Sequence, residues 1–251
     1  MNASEYGRLY DSLNSLDDVR ELSKRGLDKD LLTVILTQKI VRETKRRFYH
    51  VKTMAPDMVR QWASGASISS IARKINFPPA LTVQMMLQQM NFTKGDIKDY
   101  VRDPMLIKDE RLRSELLRAV SEDLVYSPQG TAAMWNRGKD VEMRVKQWLT
   151  ASKVRFITEY DAKKGQAIKT PDFRFELPVK IFGKWINWVE CKASFGDETE
   201  VRRDYFKQLV HYVDLFGQGI VVYWYGYLEG NLKDTHIIIT DRSLVEGVSL
   251  G

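Results

Sequence analysis

Residues Lys169–Ser194 read KTPDFRFELPVKIFGKWINWVECKAS. Two apolar-rich runs, Pro171–Phe175 and Trp185–Ala193, flank a Gly183-Lys184 turn signal, and the pattern predicts a β-hairpin. Each run carries an acid where a plain buried strand would not accept one. Asp172 sits among Pro171, Phe173 and Phe175, and Glu190 follows Trp188 and Val189. Side chains two apart on a strand share a face, so Glu190 and Lys192 point one way while Val189, Cys191 and Ala193 point the other. If the register brings Asp172 beside them, one surface presents two carboxylates and an ammonium. Oxygen ligands of that kind suit Mg²⁺ or Mn²⁺, and a neighbouring lysine can hold a water or neutralise a phosphate. An arbitrary E-x-K is most often a surface salt bridge. Here the acids interrupt runs that read as buried, and a buried charge needs a partner or a metal.

The arrangement Pro171-Asp172 followed by Glu190-Cys191-Lys192 resembles the PD-(D/E)XK nuclease superfamily. The longer strings Thr170-Pro171-Asp172 and WVECKASFGD (Trp188–Asp197) resemble the narrower TPD family, which has archaeal members. This resemblance implies a restriction-endonuclease-like αβββαβ core and metal-dependent phosphodiester hydrolysis. It also implies the roles. Asp172 and Glu190 would hold Mg²⁺ (or Mn²⁺) with the backbone carbonyl of Cys191 and waters, and Lys192 would orient the attacking water. Gly138-Lys139-Asp140-Val141-Glu142 resembles the superfamily's first-helix signature, in which a glutamate approaches the metal, so Glu142 is a further candidate ligand; an exposed helix acid is the plainer alternative. Gln208-Leu209-Val210-His211-Tyr212 resembles the QxxxY motif of RecB-type nucleases. A spacing of four puts Gln208 and Tyr212 on one helical face, able to touch the Lys192 environment or the DNA backbone.

Composition bounds the function classes. A chain of 251 residues can hold two domains, and 29% charged with 43% hydrophobic residues is ordinary for a soluble globular protein. A formal net charge of +6 favours a polyanionic partner, mildly. Cys191 is the one cysteine, which excludes a disulfide framework or a cysteine-based zinc site, and His50, His211 and His236 are too scattered for a histidine cluster. The sequence shows no signal pattern and no apolar run near 18 residues, so a soluble, cytoplasmic protein without membrane contact is expected.

The first half reads as helical. Apolar residues recur at helical spacing over Leu16–Arg25 and Lys29–Phe48, with Gly26 between them. Lys39, Arg42 and Arg46 fall at i, i+3 and i+7 on one face of the second helix, either a solvated face or a phosphate-tracking surface. Pro56–Met90 reads as three short helices with a tight second turn, resembling a helix-turn-helix module. The third, Ala80–Met90, offers Thr82, Gln84, Gln88 and Gln89 but no cation, which points to a partner face more than to base readout. Tyr126-Ser127-Pro128-Gln129-Gly130 is the strongest boundary signal, dividing a helical domain (1–125) from a nuclease domain (126–251). In the latter, the expected order is a helix over Thr131–Ala151, a strand over Val154–Tyr160, the hairpin, a helix over Arg203–Phe216, then strands over Gly219–Tyr227 and Thr235–Thr240. Arg202, Arg203 and Lys207 are candidate phosphate clamps, with a solvated helix face as the alternative.

The expectation is an Mg²⁺-dependent nuclease acting on DNA, with structured or branched substrates following from family analogy alone. Two readings stay open beside it. One is a nucleic-acid-binding or adaptor protein that docks a protein partner through its helical half; the other is an RNase. Oligomeric state is open, with a dimer compatible.

Overall fold

The computed structural model describes residues 1–163, 169–230, 232 and 234–247. In chain order the first helices are α1 (Ala3–Ser12), α2 (Leu16–Lys24), α3 (Lys29–Thr53), α4 (Ala55–Ala63), α5 (Ile68–Lys74) and α6 (Pro79–Gln89). There follow α7 (Lys94–Arg102), α8 (Glu110–Glu122) and α9 (Pro128–Ala151), then β1 (Phe156–Thr158), α10 (Glu159–Lys163), β2 (Phe173–Ile181) and β3 (Lys184–Lys192). The chain continues through α11 (Glu198–Asp204), a π-helical turn at Tyr205–Leu209, α12 (Val210–Phe216), β4 (Gly219–Tyr223), β5 (Ile237–Thr240) and α13 (Ser243–Gly247). Among the described residues no helix is long and apolar enough to cross a membrane.

Two compact units result: Met1–Leu36 together with Asn136–Gly251, and Thr37–Trp135. The unit boundaries fall within α3 and α9. Ser127 and Pro128, which signal a loop, also make a helix start: the Ser127 hydroxyl accepts from the Gly130 N–H at 2.9 Å and Pro128 is the first helical residue. Gly130 is required there, because a Cβ would collide with the Leu124 carbonyl.

In the unit Thr37–Trp135, Met58, Ile71, Val83, Met86, Leu87 and Leu116 are buried in one core. Ser67, Thr93 and Asp109 cap α5, α7 and α8 with their side-chain oxygens. The α6 helix is more buried than its polar residues imply. Thr82 is buried and its hydroxyl donates to the Pro78 carbonyl, while Gln88 and Gln89 are exposed. Lys39, Arg42 and Arg46 all fall on the part of α3 in this unit. The adjacent Arg47 donates to the Ile75 and Asn76 carbonyls at 2.6 Å each, closing the end of α5.

The other unit is built on a five-stranded sheet of order β1-β2-β3-β4-β5. Pairing is antiparallel from β1 to β3 and parallel from β3 to β5. The hairpin turns at Phe182 (φ 51°) and Gly183 (φ 75°), one residue earlier than expected, as a two-residue loop with both residues in the left-handed region. A register shift between Arg174 and Val179 accommodates Pro178. Pairing with β4 fixes both faces of β3. Val189, with Ile220, Val222, Phe173 and Phe175, packs on Val141, Val145, Trp148 and Leu149 of α9. Each such apolar side chain contributes roughly 1.5–3 kcal/mol by leaving water. On the opposite face Trp188, Val221 and Tyr223 pack on Val201, Leu209 and Tyr212. Glu190 and Lys192 alternate with the α9-facing residues and so belong to this second face. The N-terminal helix joins the same unit: Tyr6 stacks on Phe195 with ring centroids 5.0 Å apart, and its hydroxyl donates to Asp197.

Gly219 lies opposite Trp188, whose fully buried indole donates to the Gly217 carbonyl at 2.9 Å. A Cβ at Gly219 would fall inside that indole ring. Gly219→Ala is therefore expected to cost about 1–3 kcal/mol through forced repacking, read as a lower urea midpoint with unchanged slope.

Candidate functional site

The β2–β3 register pairs Phe173 with Val189 and Arg174 with Trp188, so its next step sets Asp172 opposite Glu190. Two hydrogen bonds lock this end of the hairpin. Asp172 Oδ2 accepts from the Cys191 N–H at 2.7 Å, and the Asp172 N–H donates to Glu190 Oε2 at 3.3 Å. Lys192 Nζ then donates to Glu190 Oε1 at 2.7 Å and to Gln208 Oε1 at 2.6 Å. Asp172, Glu190, Lys192 and Gln208 therefore form one continuous cluster.

Its electrostatics are unfavourable as they stand. Burial, then the neighbouring Glu190 charge, raises the Asp172 pKa well above the carboxylate range. Burial also raises Glu190, which is 5% exposed, against the lowering effect of Lys192. For Lys192 burial pulls downward, yet Glu190, Asp204 and Asp172 together hold the ammonium above its ordinary value. Burial and the surrounding acids raise the Cys191 thiol far up, so it is neutral and not a nucleophile. One cation thus faces two close carboxylates, and a divalent cation is the kind of partner that would relieve their repulsion. The donor set fits an oxygen-ligated ion in chemistry.

Not every expected residue joins. Glu142 turns to Lys139 (2.7 Å), its neighbour one helical turn away, although its charge still reaches Asp172. Among the described residues no group of three or more His, Cys, Asp or Glu is arranged to hold a metal. Tyr212, 3% exposed, donates to the Thr170 carbonyl at 3.0 Å. It fixes the Thr170-Pro171-Asp172 turn from beneath. Arg203 is committed to Glu200 and to Asp204 (2.8 Å), whereas Arg202 and Lys207 are exposed. Lys39, Arg42 and Arg46 belong to the other unit.

Two residues to which the sequence reading gave no role stand beside the cluster. Thr170 is 6% exposed, and its Oγ1 has no hydrogen-bond partner among the described residues, two positions before Asp172. Asp204 is buried, accepts from the Tyr223 hydroxyl at 3.1 Å, and adds to the field that keeps Lys192 charged. Glu200, Asp204 and Gln208 are spaced by four, a helical spacing that would have pointed to Asp204. Gln208 itself lies in the π-helical turn, where the Val210 N–H returns to the Tyr205 carbonyl. Such turns widen a helix locally and recur at functional sites.

The family described as "Protein of unknown function TPD sequence-motif" matches residues 108–243, more than half of the chain. The chain belongs to this TPD family. Curated relatives include proteins named CDAN1-interacting nuclease 1. The mouse protein is 27% identical over 231 residues, covering 84% of this chain and 82% of its own length. The bovine protein is 28% identical over 178 residues (68% and 63%), and the Xenopus laevis protein 26% over 253 residues (91% and 83%). No solved structure matches the chain. The matched span of the TPD family contains the whole Asp172–Glu190–Lys192–Gln208 cluster.

A carboxyl whose pKa is raised on folding makes the fold most stable below its unfolded value, near 3.9, and weakens it as pH climbs through the raised value. Asp172→Asn removes that charge while keeping an acceptor for the Cys191 N–H. In EDTA at pH 8 this variant is expected to melt on the order of 2–4 °C above wild type, with the gain fading towards pH 4. A difference that does not vary with pH would contradict the burial of uncompensated charge.

Proposed function

We propose that this chain is a divalent-metal-dependent nuclease that hydrolyses phosphodiester bonds in DNA. The observation that carries the reading is Lys192 Nζ, held between Glu190 and Gln208 beside a close pair of carboxylates. Such a pair beside an oriented ammonium is what an in-line attack of water on a phosphodiester requires. The name carried by the curated relatives, nuclease, supports the reading. So does the element order α9, three antiparallel strands with the short α10 between the first two, helix, strand, which is compatible with a restriction-endonuclease-like core. The sequence of α4, α5 and α6 is compatible with a helix-turn-helix module in the other unit.

Asp172 and Glu190 would hold the Mg²⁺ or Mn²⁺. The Cys191 N–H points at Asp172. The carbonyl of a strand residue leaves on the same edge as its N–H, so that of Cys191 is available as a third oxygen. When bound, the ion lowers the pKa of water and offsets charge on the phosphate. Lys192 donates to the attacking water and neutralises a non-bridging phosphate oxygen. Gln208 keeps the ammonium in place, and Asp204 keeps it protonated. Tyr212 positions Asp172 through the Thr170 carbonyl. Exposed Arg202 and Lys207 are available to flanking phosphates; Arg203 would first have to leave Glu200 and Asp204.

End-labelled linear, flapped and four-way DNA, and RNA of matching sequence, should be incubated with the protein in Mg²⁺ or EDTA. Cleavage of DNA that stops in EDTA is expected. Lys192→Ala should reduce the single-turnover rate at least about a hundredfold, as loss of a transition-state donor does. Gln208→Ala and Tyr212→Phe act only through position and should cost less, about tenfold to a hundredfold. Cleavage of RNA alone would move the substrate to the other nucleic acid. Wild-type rates in Lys192→Ala would remove the site.

A further inference from the structure

Outside the cluster just described, the unit Thr37–Trp135 carries an open groove of about 920 Å³. Leu81, Met85, Ile97 and Val101 line it with aliphatic side chains, and Phe48, Tyr126 and Trp135 with aromatic ones. Trp135 is 64% exposed. One rim is cationic. Lys94, Lys98 and Arg102 line the groove from α7. They are spaced by four, and so follow one face of that helix over about 12 Å.

The charges of α7 are segregated. Its two acids, Asp96 and Asp99, take no part in the lining, and Asp96 is committed to capping Thr93 (3.0 Å to its N–H, 2.7 Å to its hydroxyl). Among the described residues Lys94, Lys98 and Arg102 form no ion pair. A row of unpaired cations alongside an apolar trough calls for an occupant with the complementary layout: apolar on one face and acidic along an adjoining edge.

We propose that this groove docks an acidic amphipathic helix of a partner protein. Its apolar face lies on Leu81, Met85, Ile97 and Val101, and acids three or four residues apart run along Lys94, Lys98 and Arg102. The pattern of the site selects this occupant over other anions. A small amphiphile has one charged head and needs cations that converge, whereas these are strung along the rim. A single strand of nucleic acid uses aromatic faces in series beneath its bases, and here the aliphatic Leu81, Met85, Ile97 and Val101 outnumber the aromatic Phe48, Tyr126 and Trp135 in the lining.

The probe is a fluorescein-labelled, helix-stapled peptide of about 18 residues with leucines at i, i+3/i+4 and i+7 and glutamates along one flank. A second peptide carries lysines in place of the glutamates, and a labelled oligothymidylate represents nucleic acid. Anisotropy titrations use the full chain and the charge-reversed Lys94→Glu/Lys98→Glu protein, whose exposed substitutions are checked for folding by circular dichroism. The acidic peptide is expected to bind wild type in the micromolar range and more weakly as salt rises. The reversed protein should lose at least about tenfold, and the lysine peptide should prefer the reversed protein to wild type. The proposal is overturned if the acidic peptide does not bind, if both proteins bind it equally, or if only the oligothymidylate binds and is lost on charge reversal. The last result would make the groove a nucleic-acid surface.

Discussion

Asp172 and Glu190 face each other because the hairpin register leaves them nowhere else to go. Their backbone and side-chain hydrogen bonds then hold the pair together. Two carboxylates at that separation repel, and burial removes the water that would screen them. The rest of the unit can be read as what is needed to sustain this arrangement. Apolar packing of α9 on one sheet face, and of the α11–α12 segment on the other, supplies the stability that the charge pair withdraws. The cost is tolerable because it is local, while the packing that offsets it extends over the whole sheet.

Lys192 is the second constraint. A buried ammonium is costly unless every donor is used, and here Glu190 and Gln208 take two of its hydrogens while Asp204 contributes charge from below. The π-helical turn brings Gln208 to that position. Tyr212, further along, anchors the strand entry that carries Asp172. Both residues of the Q-x-x-x-Y pattern therefore act on the charged cluster, one through the lysine and one through the Thr170 carbonyl.

Much of this was legible in the sequence because it depends on strand alternation. Val189, Cys191 and Ala193 against Glu190 and Lys192 is a period-two statement, and the sheet repeats it. The hairpin was also legible, with its turn displaced by one residue because Phe182 takes a positive φ alongside Gly183. What local pattern could not give was tertiary in origin. Nothing near Tyr6 announces its stacking on Phe195, so the membership of the first 36 residues in the sheet unit was invisible. Ser127-Pro128 serves equally as a loop and as a helix start, and only the long helix that follows decides between them. Glu142 pairs with Lys139 one turn earlier, a contact that the motif spacing did not announce.

Whether Asp172 and Glu190 form a metal site is most directly tested by Mn²⁺ binding, followed by electron paramagnetic resonance of the free ion, in wild type, Asp172→Asn and Glu190→Gln. Wild type is expected to bind Mn²⁺ competitively with Mg²⁺, and each variant should bind on the order of tenfold or more weakly, because one formal charge leaves the ligand set. Equal Mn²⁺ affinity in all three proteins would contradict the site.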